Sequence, residues 1–193
     1  PTTSLHAVES WYYLAKQATT IWQQPIAPTP MRSLHLAGVP EADPTLFGLD
    51  PKQKNILIAP TAVGLHKGQV KIWPHYEALT QTLQAQNYQV YMCPPPNEVE
   101  QALQNAPSAT RLDPLPLLAF AQLCKSVNVV ICNDSGVSHL AAAVNAPQIT
   151  LIGVTDAART GPWSDRAICL GQMGKWPSLE NVLQHTHLIS TTP

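Results

Sequence analysis

Apolar and polar residues follow one another along this chain in blocks whose period changes. Leu5, Val8, Trp11, Tyr12, Ala15, Ala18 and Trp22 recur at three- and four-residue steps, which predicts a helix over residues 5–22. QQPIAPTPMRS (23–33) cannot continue it, because its prolines lack an N–H and fix φ. After a short polar stretch the rhythm becomes regular. NILIAP, YQVYMC, VNVVIC and APQITLIG are short apolar runs with the composition of buried strands, and AICL (167–170) is a weaker one. Helical patterns stand between them: WPHYEALTQTLQAQ with Pro74 near its first turn, NEVEQALQNA capped by Asn97, LPLLAFAQLCKS, GVSHLAAAV, and SLENVLQH at the end. TDAARTGPWSD (155–165) reads as a long loop.

Continuous apolar strands alternating with helices imply a parallel sheet covered on both faces. Parallel connections are right-handed crossovers, so the expectation is an α/β, Rossmann-like doubly wound domain. In such a sheet, ligands bind beyond the carboxyl ends of the strands. That rule turns attention to three strand-to-helix junctions.

The first is CNDSGVSHLAAA (132–143). The leading N–H groups of a helix have no intrahelical partners, and its dipole favours an anion there. Gly136 permits close backbone approach, Ser135 can cap the helix or donate to an oxygen, and His139 leans back toward the same spot. The second is PTAVGLHKGQVKIWP (60–74), which carries Thr61, Lys67 and Lys71 but no Walker pattern. The third is CPPPNEVEQA (93–102), where Glu98 stands at a strand end as an acceptor for ribose hydroxyls. Each alone is also an ordinary cap or solvated loop; their succession on neighbouring strand ends is what points to a ligand.

Composition narrows the partner classes. The 193 residues suffice for one ordinary domain that buries roughly 70% of its unfolded surface. A formal net charge of -1, from 11 basic and 12 acidic residues, argues against a phosphate-backbone ligand, so no nucleic acid is expected. No run is long and apolar enough to span a membrane. The four cysteines have no CxxC spacing and read as free thiols, hence a cytoplasmic location. Nineteen prolines are about twice the average usage.

KIWPHYEAL, NEVEQA and CNDSGVSHLAAAVNAPQITLIGVTDAARTGPW, in this order, resemble glycosyltransferase family 9, the ADP-heptose:lipopolysaccharide heptosyltransferases. The similarity runs over about residues 55–163, and HAVESWYYLA is similar to the family's interdomain linker. The resemblance implies the C-terminal, donor-binding half of a GT-B fold: a linker helix and proline-rich connector over 1–50, the Rossmann-like domain over 51–193, and an N-terminal acceptor domain absent from the chain. It implies a transferase moving heptose or a related sugar from a nucleotide diphosphate sugar, with ADP-heptose first in line, to a lipopolysaccharide or other glycan acceptor. It also allows attachment at the inner face of the membrane.

Carried over by residue, Lys71 meets the donor's phosphate or sugar, Glu98 the ribose, Leu115 the adenine and Asp134 the sugar hydroxyls, while Ser135, Gly136, Val137 and His139 surround the pyrophosphate. No catalytic residue is expected within the chain, since the family's base sits in the other domain, and the chain alone is expected to be inactive. Neither metal nor cofactor is expected, and no D-x-D motif occurs. Thr61 replaces a usual glycine and the loop to Lys71 is longer than usual, so Lys67 could share the phosphate role. A stand-alone, non-catalytic nucleotide-sugar binding module and half of a GT-B-type epimerase stay open as alternatives.

Overall fold

The structure is a computed structural model that describes residues 4–34, 36 and 38–190. In chain order the helices are α1 (Ala7–Ile21), α2 (Tyr76–Ala85), α3 (Val99–Asn105), α4 (Leu117–Ser126), α5 (Gly136–Ala143), α6 (Ala157–Thr160) and α7 (Leu179–Ser190). The strands are β1 (Lys54–Ala59), β2 (Leu65–His66), β3 (Gln69–Val70), β4 (Tyr88–Met92), β5 (Thr110–Arg111), β6 (Val129–Asn133), β7 (Gln148–Ile152) and β8 (Ala167–Gly171).

Six strands form one sheet in the order β5-β4-β1-β6-β7-β8, and every pairing is parallel. Counted among themselves these strands run 3-2-1-4-5-6, the Rossmann order, with the switch point between β1 and β6. The expected doubly wound α/β fold is therefore what forms.

The two-residue side-chain period of a strand divides the core. From β1 and β6, Ile56, Ile58, Val129 and Ile131 join Trp73, Tyr76, Leu79 and Leu83 on one face. Leu57, Val130 and Cys132 join Leu123, Cys124 and Ala141 on the other. Both faces of each central strand are buried, which is why the strands read as unbroken apolar runs. The segment before residue 51 contributes Val39 and Leu49 to the second cluster.

Several local details differ from expectation. Asn97 caps nothing: it lies inside a 3-10 turn, Pro96–Glu98, and Glu98 takes the N-cap position of α3 without a side-chain bond. Three consecutive prolines before it hold the chain extended and delay the helix. Pro74 precedes α2 by two residues rather than opening it, and α6 interrupts the loop that follows β7. The β2–β3 hairpin turns on Lys67 and Gly68, both at positive φ (50° and 80°), a type I′ geometry.

Helix α1 buries none of its residues. Trp11 and Trp22 keep 70% and 69% of their surface in solvent, and Leu14 and Ile21 are exposed with them. His6, just before the first turn of α1, is buried, and Tyr12 donates its hydroxyl hydrogen to the Ala27 carbonyl. Among the described residues no helix is long and apolar enough to cross a membrane.

Candidate functional site

A cavity of about 540 Å³ opens at the switch point, beyond the ends of β1, β4 and β6. The β1 end contributes Thr61, the β4 end Cys93 and Pro94, and α5 with its preceding turn Ser135, Gly136 and Val137. Lys71 and Glu98 are the one cation and the one anion among the described residues lining it. Leu115, Leu117 and Phe120 close an apolar end. The geometry is a polar mouth at a helix N-terminus continuing into an apolar slot.

Both ends of the loop after β1 are tied to the end of β6 by one buried side chain. Asn133, the last residue of β6, accepts the Trp73 N–H through Oδ1 at 3.0 Å. Its Nδ2 donates to the carbonyls of Ala59 (3.3 Å) and Thr61 (3.2 Å). The Trp73 ring is buried and donates Nε1–H to the Pro177 carbonyl, so the loop bearing Lys71 is fixed two residues after the lysine. Lys71 Nζ then donates to the main-chain carbonyl of Asp134 at 3.2 Å.

Ser135 occupies the N-cap of α5 in extended conformation, yet its side chain caps nothing. The hydroxyl is buried and has no hydrogen-bond partner among the described residues. A buried, unpaired hydroxyl costs about 1–3 kcal/mol, so it calls for a partner from outside the chain. Gly136 follows, and a Cβ placed on it would meet no atom within 4 Å. Packing therefore does not demand glycine there, and the space in front of the first N–H groups of α5 is open.

Glu98 lies across the cavity, accepting a hydrogen bond from the Thr61 hydroxyl. Asp134 is buried, and its Oδ2 accepts from Thr160 Oγ1 at 2.7 Å. His139, one turn into α5, is exposed. Partial desolvation nevertheless holds its pKa below the ordinary imidazole value, with the charges of His6 and Lys71 adding to this and Asp134 opposing it. A neutral imidazole is thereby favoured, and the residue is not among those that line the cavity.

Of the residues singled out from sequence, Thr61, Lys71, Glu98, Leu115, Ser135, Gly136 and Val137 line the cavity. Asp134 joins them through its carbonyl and Thr160. Lys67 does not line it, standing exposed at the hairpin tip. Sequence reading passed over Asn133 and Thr160. Both lie within the quoted motifs, but their role is visible only as contacts over 60 and 26 positions.

The sequence profile of glycosyltransferase family 9 (heptosyltransferase) matches residues 1–187. A lipooligosaccharide heptosyltransferase 2 of Haemophilus influenzae is 36% identical over 118 residues, covering 54% of this chain and 33% of that protein. An Escherichia coli heptosyltransferase solved with ADP superposes with a TM-score of 0.63 at 20% identity, over 78% of this chain and 50% of that one. A family 9 glycosyl transferase of Veillonella parvula superposes with a TM-score of 0.74 at 15% identity, over 98% of this chain and 61% of that one. The chain spans about a third of the length of the curated relatives it matches.

Proposed function

Because the chain belongs to glycosyltransferase family 9, we propose that its switch-point cavity binds the nucleotide diphosphate sugar donor, ADP-heptose, of a heptosyltransferase. The observation that carries this is the buried, unpaired Ser135 hydroxyl beside an unobstructed Gly136 at the start of α5. A diphosphate oxygen supplies the missing acceptor and meets the partial positive charge of the helix end. The solved relative holding ADP supports the choice of nucleotide.

In this reading the Val137 N–H and Lys71 complete the diphosphate site, and His139 stands at its edge. Leu115 faces the base in the apolar slot, and Glu98, released from Thr61, accepts from ribose hydroxyls. Asp134 orients the sugar. Transfer breaks the bond between the anomeric carbon and the diphosphate oxygen as an acceptor hydroxyl attacks. Helix N–H groups and an ammonium stabilise the charge that develops on the leaving ADP.

Attack also requires a positioned acceptor and a base within hydrogen-bond reach of its hydroxyl. Asp134 and His139 are already engaged with donor groups. The base and the lipopolysaccharide or other glycan acceptor therefore come from outside these residues, in the arrangement of a GT-B enzyme whose donor half is residues 51–193 joined through 1–50.

Calorimetric titration with ADP and ADP-heptose tests the reading. Saturable binding of both is expected, and no heat at millimolar ligand would overturn it, since a Kd of 1 mM still corresponds to about 4 kcal/mol. Incubation with ADP-heptose and a lipopolysaccharide-core acceptor should give transfer only when an acceptor-binding half is added.

A further inference from the structure

At the start of helix α1 a buried imidazole meets the rest of the protein. His6 is the N-cap of α1, and its Nδ1 accepts the Val8 N–H at 3.1 Å. The main-chain N–H of His6 donates to Glu9 Oε2 at 3.0 Å, closing a capping box. Nε2 lies 2.9 Å from the carbonyl oxygen of Gly161. One ring nitrogen that accepts and another facing a carbonyl admit a single form, the neutral Nε2–H tautomer, donating to Gly161. The ring also packs on Trp163, with centroids 4.6 Å apart.

Gly161 directly follows Thr160, whose hydroxyl donates to Asp134 Oδ2 at 2.7 Å. The peptide between them is held by its N–H, which Gly161 donates to the Ala157 carbonyl at 3.0 Å, and a Cβ on Gly161 would lie 2.6 Å from that same oxygen. A continuous path of bonds thus runs from the start of α1 through Gly161 and Thr160 to the carboxylate of Asp134, and through the Asp134 carbonyl to Lys71.

We propose that His6 is a positioning residue for the donor site: its Nε2–H holds the Gly161–Pro162 peptide just after α6 and, through Gly161, the adjoining Thr160, which in turn aims the Asp134 carboxylate at the donor sugar. The seating of α1 is thereby coupled to how the sugar, not the nucleotide, is held. This rests on the reading of Asp134 as a ligand of that sugar.

The two ring nitrogens can be tested apart. An asparagine amide can supply the acceptor that caps α1 but falls short of Gly161; a glutamine amide can reach Gly161 as a donor. His6→Asn, His6→Gln, Thr160→Val and the double variant H6N/T160V are compared with the unaltered chain by melting temperature and by calorimetric affinity for ADP and ADP-heptose. H6N should weaken ADP-heptose by about threefold to tenfold, the worth of one hydrogen bond, with ADP affinity unchanged. H6Q should restore ADP-heptose binding whatever its melting temperature. T160V should show the H6N loss, and the double variant no more than either alone.

Wild-type binding of ADP-heptose by H6N, equal weakening of both ligands, failure of H6Q to restore, or multiplied losses in the double variant would each overturn the inference while the donor site stands. An unaltered chain that binds neither ligand overturns the donor-site reading and this inference with it.

Discussion

The Asn133 side chain accepts the main-chain N–H of Trp73 across 60 positions of sequence, and with its amide hydrogens it holds the end of β1 as well. This junction holds both ends of the loop that carries Thr61 and Lys71. Asn133→Ala leaves a buried N–H and two carbonyls unpaired, and should cost about 3 kcal/mol of stability. ADP affinity should fall with it, because Lys71 follows the Trp73 loop. Urea denaturation and calorimetry measure the two effects; wild-type stability in the variant would show that the loops are held by something else.

Ser135→Ala should separate stability from binding in the opposite way. The hydroxyl has no partner in the free protein, so removing it should leave the melting temperature unchanged or raise it slightly. Affinity for ADP should drop roughly tenfold, the value of a hydrogen bond to a charged oxygen, while adenosine binding stays as it was. A drop in stability without a change in ADP affinity would place the hydroxyl in the fold and outside the ligand.

Lys71→Ala and Glu98→Ala should differ in which part of the ligand they lose. The ammonium faces a diphosphate, so K71A should weaken ADP roughly tenfold or more and spare adenosine. The carboxylate faces ribose, so E98A should weaken both ligands alike. Comparison of the two affinities for each variant decides the matter; equal losses of adenosine would reverse the assignment.

The thiols predict an alkaline limit to stability. Burial pushes Cys124 up to about 12 and Cys169 up to about 11, from an ordinary value of 9.0. In the unfolded chain these groups ionise near 9, whereas in the folded protein they stay protonated, so the folded state binds more protons above that pH. Their contribution is complete below pH 9 and is lost progressively as pH rises toward 11 and 12. Denaturation midpoints should be level with respect to these groups up to pH 9 and decline above it. Cys124→Ala should flatten part of that decline.

The sheet was legible in the sequence because burial on both faces makes each central strand a continuous apolar run, and Ile56–Leu57–Ile58 and Val129 to Cys132 are such runs. Gly136 and Ser135 were legible as cavity-lining residues too, since a helix start after a strand places them at the carboxyl edge of the sheet by topology alone. His6, Asn133 and Thr160 were not. Each acts through a partner 155, 60 or 26 positions away, and no local pattern encodes that distance. Asn97 misled for the converse reason: a good capping residue stood where consecutive prolines had already set another backbone path. The hairpin of two two-residue strands and the short β5 are too brief to carry a period.

The position of β1 in the sheet also sets the order in which the molecule can assemble during synthesis. Its register with β4 closes over a span of about 34 residues, Lys54 to Tyr88, while its other edge waits for Val129 to meet Ile56. A nascent chain extended only as far as Asn128 has β1 and β4 paired but leaves one side of β1 as an unprotected row of N–H and C=O groups flanked by Ile56, Leu57 and Ile58. Such an edge recruits other strands, so this is a stage at which the emerging protein is open to aggregation. When β6 arrives it both seals that edge and brings in Asn133, so the β1 edge closes in the same step that draws the loop after β1 to the end of β6.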